Sequence, residues 1–330
     1  MSYASPTRSD PSGVSSPEMT PPTYSESLIN YFRGWRYPFF GTIFLYVLMV
    51  LGWVGLGGGL ADLGSASLRH VGLGALAATL LLFGIFLLND AADRHVDARV
   101  HPDRPIPKGL SDWKHVAATA VVLMLAACVL SAFVNPVSLA VAAAMTAYAL
   151  LFYGWVKGGL DVPGSSEILT PVVSALFPLY ALSVAGCEDP RIFAGVVGYI
   201  YLADFSQDLL GGIHDQAGDR VGNVRTFALA IGPTRTLVVS LACFVLATAA
   251  GASLVVGGHL GVVYALVLAG VTATMLALYT RLFRMARGRE ADDPALLTAA
   301  DRANHLAGMF FFIVSAATFL DHVVRRLLGR

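Results

Sequence analysis

The chain has 330 residues, 56% of them hydrophobic and only 13% charged, with a mean hydropathy of +0.66. Soluble domains carry about 25% charged residues, so this composition describes an integral membrane protein. Its 22 Lys and Arg cancel its 22 Asp and Glu, which removes the cationic footprint of a nucleic-acid-binding protein.

In chain order, the first 30 or so residues are rich in Ser, Pro and Thr without apolar periodicity. They are expected to form a disordered cytoplasmic tail (1–30) ahead of a single domain (31–330). No apolar stretch of the signal-peptide kind precedes Pro38. A membrane-spanning helix needs about 20 mostly apolar residues. Nine segments qualify, at 37–57, 69–90, 115–134, 136–154, 168–186, 191–212, 235–256, 260–281 and 304–324. Asn135-Pro136 marks a tight turn between the third and fourth, and Pro171 and Pro178 are expected to kink the fifth. The expected fold is all-α, a polytopic bundle. Cys128, Cys187 and Cys243 are scattered in apolar runs and read as small packing residues.

Nine spans put the termini on opposite sides. With the N-terminus cytoplasmic, most cations, among them Arg94, Arg99, Arg104, Lys108, Lys114, Lys157, Arg220 and Arg225, share the cytoplasmic face, as the positive-inside rule requires. The Arg-over-Lys, Ala/Gly/Val-rich composition fits a bacterial plasma membrane, with the bilayer as partner and no protein partner evident.

Against this low charge, two acidic blocks stand out. Asn89, Asp90, Asp93 and Asp97 end the second span, and Asp208, Asp215 and Asp219 run from the end of the sixth. Offsets of four share a helix face, so Asn89, Asp93 and Asp97 align, and Asp219 lies one turn beyond Asp215. Solvated helix ends are the plain alternative. Carboxylates beside a bilayer are costly unless paired, hydrated or metal-bound, and two stripes at matching depth favour hydrated Mg²⁺ completed by substrate oxygens. Arg104, Arg225 and Lys157 lie beside the stripes and suit phosphate oxygens. Both stripes sit at one face, whereas transporter sites concentrate near mid-membrane.

Asn89-Asp90-x-x-Asp93-x-x-x-Asp97 resembles the NDxxDxxxD motif of the UbiA-type intramembrane prenyltransferases. Asp208-(x6)-Asp215-(x3)-Asp219 is similar in spacing to their second motif, DxxYAxxDxxxD. Tyr153-x-x-x-Lys157 resembles the intervening YxxxK element, Arg33-Gly-Trp35-Arg36-Tyr-Pro38 the RPW-like entry, and Gly218-Asp219-(x2)-Gly222-(x3)-Thr226 the GDxxGxxxT tail. The resemblance spans roughly residues 28–325. It implies a bundle around a central cavity, capped by helical loops after the second and sixth spans. It also implies a diphosphate held through Mg²⁺ by Asn89, Asp90, Asp93, Asp97, Asp208, Asp215 and Asp219. Tyr153, Lys157, Arg104 and Arg225 would contact that diphosphate directly.

The implied reaction is Mg²⁺-dependent transfer of an isoprenoid chain from an allylic diphosphate to a small-molecule acceptor, taken as an aromatic ring. Asp208 is the candidate to assist proton loss. Phe152, Phe177, Tyr180, Tyr199, Tyr201 and Phe205 could stabilise an allylic cation or simply pack. The chain departs from the family where Gly211-Gly212 replaces Tyr-Ala, a change expected to open space near the reacting carbon. That space keeps an alternative alive, a membrane terpene cyclase acting on farnesyl or geranylgeranyl diphosphate. Glu167, at the start of the fifth span, is expected to face headgroups rather than an acceptor.

Overall fold

A computed structural model of the chain describes residues 21–34, 39–58, 65–156, 162–222, 224–287 and 293–329. Among these residues there are helices and no strand. Helix α1 (Tyr24–Arg33) precedes α2 (Phe39–Leu56), α3 (Ser65–Ala92), α4 (Arg94–Val100), α5 (Trp113–Ala132) and α6 (Pro136–Leu151). A π-helical turn, Phe152–Val156, leads towards α7 (Ser165–Val184), α8 (Pro190–His214), α9 (Gln216–Gly222) and α10 (Phe227–Ile231). The chain ends with α11 (Pro233–Val256), α12 (Val262–Ala286) and α13 (Pro294–Leu327).

The helix starts follow local chemistry. Asn135, Asp189 and Asp293 each place a side-chain oxygen on an amide of the first turn, with Pro next in line, the arrangement that satisfies orphan N–H groups and presets φ. The Asp293 cap starts the last helix ten residues before the expected 304, which adds Asp301 to its length. Helix α1 corrects the expectation of a disordered tail over residues 24–30. Thr23 and Glu26 form a capping box, a pattern legible in Thr-x-x-Glu. The Tyr31 ring is then buried and its hydroxyl reaches the first acidic block.

The long helices pack as a closed ring. Helix α3 packs on α5, α5 on α6, α6 on α7, α7 on α8, α8 on α11, α11 on α12, α12 on α13, and α13 on α2, which returns to α3. Two buried tyrosines of the interior find hydroxyl partners: Tyr279 with Ser206 and Ser240, at 2.7 and 2.6 Å, and Tyr180 with Ser131 at 2.8 Å. In an apolar interior an unpaired hydroxyl costs free energy, so these pairs fix which faces meet. Among the described residues, seven helices are long and apolar enough to cross a membrane: α3, α5, α6 with its π-turn, α7, α11, α12 and α13. The remaining two expected spans correspond to α2 and to α8, which carries Asp204 and Asp208 in its C-terminal half.

Candidate active site

Both acidic blocks lie where a long helix gives way to a short one. Asp93 interrupts α3 and α4 with φ −77° and ψ −1°, and Asp215 interrupts α8 and α9 with φ −81° and ψ 2°. Each stripe is therefore interrupted at its central aspartate. The helical hydrogen bonds nevertheless persist through each break, from Asp97 N–H to Asp93 O (2.8 Å) and from Asp219 N–H to Asp215 O (2.9 Å). The short helices α4 and α9 pack against each other. This brings the two stripes face to face across one end of the ring, as helical caps after the second and sixth spans.

Tyr153 reports the convergence. It is buried, in the π-turn at the end of α6, and its hydroxyl feels the charges of Asp93, Asp208 and Asp204. One π-turn among α-helices is a frequent mark of a functional site. Asp204 was not singled out by sequence reasoning, although it sits one turn before Asp208 on the same face. Its carboxylate is hydrogen-bonded by Ser174 of α7. Lys157 and Arg36 lie outside the described residues.

Arg104 meets Asp97 instead of open space. One guanidinium nitrogen donates to both Asp97 oxygens at 2.6 Å. Asp97 is 5% exposed. Burial pushes its carboxyl above the usual range, and Arg104 opposes that shift. Asp90 accepts the Tyr31 hydroxyl at 2.6 Å, which ties α1 to the end of α3. Asp215 is solvent-facing and paired to His214 Nδ1 at 2.7 Å. Arg225 has an exposed side chain, and its carbonyl accepts the Gly164 amide at 2.8 Å. Gly164 has φ +77° and lies under the Phe227 ring, where a Cβ would collide with the ring, so glycine is required there on both counts.

Two expectations are overturned around Gly211-Gly212. A Cβ on Gly211 would meet the Asn304 amide at 3.4 Å, and one on Gly212 would lie 2.8 Å from Glu167 Oε1. Glu167 of α7 thus occupies the space beside Gly212, and Asn304 of α13 borders Gly211 at contact distance. Glu167 does not face headgroups as expected. It is 6% exposed and both its oxygens accept the Phe227 N–H at 3.1 Å. Of the six aromatic candidates, Tyr180 and Tyr199 belong to packing. Tyr180 pairs with Ser131 in the last turn of α5, away from the aspartates, and Tyr199 lies against Gly251 near Tyr264.

Among the described residues no group of three or more His, Cys, Asp or Glu is gathered tightly enough to cage a metal. Mg²⁺ needs no such cage, because it keeps several waters and takes one or two carboxylates plus substrate phosphates. The donors present are all hard oxygens. Asp219 Oδ2 is buried without a hydrogen-bond partner, which is a vacancy in its bonding that a cation would fill. Burial, with Asp215 adding, raises the Asp219 carboxyl to about 6.

A helical ring whose two acidic helix ends meet at one side defines a polytopic membrane protein with a carboxylate-lined end. The UbiA prenyltransferase family matches residues 48–305, and the chain belongs to that family. A digeranylgeranylglyceryl phosphate synthase of Halobacterium salinarum is 30% identical over 163 residues, 49% of this chain and 57% of that protein. The match therefore spans little more than half of that relative's length. A solved structure concerned with digeranylgeranylglyceryl phosphate synthase in membranes aligns over 91% of this chain and 99% of its own, with TM-score 0.67 and 16% identity. A UbiA homologue from Archaeoglobus fulgidus bound to DMAPP and Mg²⁺ aligns over 87% and 98%, with TM-score 0.54 and 15% identity.

Proposed function

We propose that the chain is a prenyltransferase that moves an isoprenoid chain from an allylic prenyl diphosphate to an acceptor and releases diphosphate. The observation that carries this reading is the packing of α4 against α9, with Tyr153 facing Asp93 and Asp208. Asn89, Asp90, Asp93, Asp208, Asp215 and Asp219 would hold Mg²⁺ with the diphosphate oxygens. When bound, the cation stabilises negative charge on the departing diphosphate. The archaeal homologue bound to DMAPP and Mg²⁺ supports the same ligand class here. Asp97, with both oxygens on Arg104, would orient that guanidinium towards the diphosphate and is a weaker metal-ligand candidate.

The C1–O bond of the prenyl diphosphate breaks with its electron pair leaving on diphosphate. An acceptor atom then bonds to C1, and its proton departs to a carboxylate. Our candidate for that carboxylate is Asp208, whose charge acts on the buried Tyr153 hydroxyl. The buried ring interior excludes water that would otherwise capture the cation as an alcohol.

For the acceptor, the name of the Halobacterium relative supports the hydroxyl of a prenylated glyceryl phosphate over the aromatic ring expected from sequence. The close approach of Glu167 to Gly212 leaves less room there than a cyclase reading needs, which supports transfer. By the positive-inside reading, the aspartate end faces the cytoplasm.

The test is an assay of purified chain with Mg²⁺ and labelled geranylgeranyl diphosphate, run with no acceptor, with geranylgeranylglyceryl phosphate, and with 4-hydroxybenzoate. Consumption that depends on the glyceryl phosphate supports the reading. Hydrocarbon formed without acceptor sinks it in favour of a cyclase, and a prenylated ring moves the acceptor back to aromatics.

A further inference from the structure

Helix α1 lies outside both acidic motifs, yet its side chains converge on the segment that follows the first. Ser27 is fully buried. Its Oγ accepts the Asp112 N–H at 3.1 Å and pairs with His115 Nδ1 at 3.0 Å, while its carbonyl accepts the Ser111 hydroxyl at 2.8 Å. Asn30 Nδ2 donates to the Leu110 carbonyl at 3.0 Å, and the Tyr24 hydroxyl pairs with that of Thr119 in α5. Just past the helix, Gly34 lies so close to Pro105 that a Cβ there would collide with the proline ring. Ser27, Asn30, Tyr31 and Gly34 are three and four residues apart, so one face of α1 makes these contacts.

That face reaches the first acidic block twice. Directly, Tyr31 is 3% exposed and its hydroxyl donates to Asp90 Oδ2 at 2.6 Å, the length of a charge-assisted bond. Indirectly, the Pro105 that rests on Gly34 is the neighbour of Arg104, whose guanidinium holds both oxygens of Asp97. Asp90 and Asp97, on either side of Asp93 in the motif, are thus set by residues that α1 carries or braces. A tie needed only to anchor α1 could end on a backbone carbonyl, as the Asn30 bond does; this one ends on a carboxylate of the motif. A hydrogen bond to a ligating carboxylate fixes its rotation, and losing such a partner costs about 10–100-fold in metal affinity or activity.

We propose that α1 is a positioning element of the aspartate end and that Tyr31 is its positioning residue, holding Asp90 for Mg²⁺ and diphosphate. The proposal rests on the reading of Asp90 as a cation ligand given above. Tyr31 acts through Asp90 and takes no part in bond breaking. Coupling of this kind is reciprocal: if α1 orders the site, Mg²⁺ and diphosphate bound at the site order α1.

The experiment titrates inorganic diphosphate at fixed Mg²⁺ into the full chain in detergent by isothermal calorimetry, and follows amide exchange over α1 with and without both. Tyr31→Phe keeps the buried ring and removes only the hydroxyl. It should weaken diphosphate binding by about tenfold or more. Ser27→Ala, which loosens α1 without touching an aspartate, should weaken it by less. Asp90→Asn is the reference, and adding Tyr31→Phe to it should weaken binding no further, because the hydroxyl acts through that carboxylate. Mg²⁺ with diphosphate should slow exchange of the α1 amides in wild type and not in Tyr31→Phe. If Asp90→Asn binds too weakly to titrate, this exchange comparison decides. Tyr31→Phe binding as tightly as wild type while Asp90→Asn is weakened overturns the proposal and leaves the metal assignment standing. So does an equal loss from Tyr31→Phe in both backgrounds, or α1 exchange in wild type that ignores the ligand. Wild-type affinity in Asp90→Asn, or no Mg²⁺-dependent binding by wild type, removes the cation-ligand reading itself and the proposal with it.

Discussion

Both carboxylate oxygens of Glu167 accept the amide proton of Phe227 at 3.1 Å, which fastens the start of α7 to the loop that follows the second acidic motif. Asp219 stands at the near end of that loop and Thr226 at the other. A buried carboxylate so used positions the loop without touching substrate. Glu167→Ala leaves a buried N–H unmet and is expected to lower stability by about 1–3 kcal/mol. It should raise KM for the prenyl diphosphate more than it lowers kcat. Glu167→Gln, whose amide oxygen can still accept, should recover most of the loss. Equal damage from both substitutions would show that the charge, not the hydrogen bond, matters.

The glycine pair gives an asymmetric expectation. A methyl on Gly211 meets the Asn304 amide at ordinary contact distance, 3.4 Å, whereas one on Gly212 lies 2.8 Å from Glu167 Oε1. Gly211→Ala should keep stability within about 0.5 kcal/mol. Gly212→Ala must push Glu167 off Phe227 and should cost about 1–3 kcal/mol, the range of an overpacked site. Circular dichroism melts of the two purified variants decide this. Equal melting temperatures would mean that Glu167 moves aside freely.

Arg104 and Asp97 form a nearly dry pair, with side chains 22% and 8% exposed. Removing Arg104 strands a buried carboxylate. The loss for Arg104→Ala is expected at about 2–3 kcal/mol, below the range for a fully buried pair because Arg104 keeps some solvent. Asp97→Asn combined with Arg104→Gln removes both charges and should restore part of it. A double-mutant cycle on urea-induced unfolding measures the coupling, and zero coupling would show that the pair adds nothing to stability.

Much of this site was legible because its grammar is local. Four-residue offsets place Asp93 with Asp97 and Asp215 with Asp219, and apolar runs locate the helices. Capping chemistry was equally local, yet Thr23-x-x-Glu26 went unread because a polar, Pro-rich neighbourhood masked it, so α1 and the Tyr31–Asp90 bond were missed. Asp204 carried a signal as well, one turn before Asp208, but a single intramembrane carboxylate outside the motif spacing did not draw the eye. Glu167 and Asn304 had no such signal. Their positions follow from which helices meet across the ring, and that contact lies far apart in sequence. The helix break at each central aspartate was also hidden, since an unbroken i, i+4 pattern is compatible with one continuous helix.

Asp219 supplies the pH prediction. Its carboxyl is raised from 3.8 to about 6, by burial first and Asp215 second, with Thr226 opposing. In that window the folded chain holds a proton that the unfolded chain has released. Stability without divalent cation should therefore fall as pH rises from about 4 to about 6 and then level off. Asp97, raised in the same sense by its burial, adds to the slope, so the contribution of Asp219 is read as the difference between wild type and Asp219→Asn. Mg²⁺ with diphosphate binds the ionised carboxylate and should restore the melting temperature above pH 6 in wild type but less in the variant. Thermal unfolding at fixed ionic strength, scanned across this range with and without Mg²⁺ and diphosphate, measures both effects. A wild-type profile that rises through pH 6 without cation, or a variant rescued as fully as wild type, would remove Asp219 from the cation-binding set.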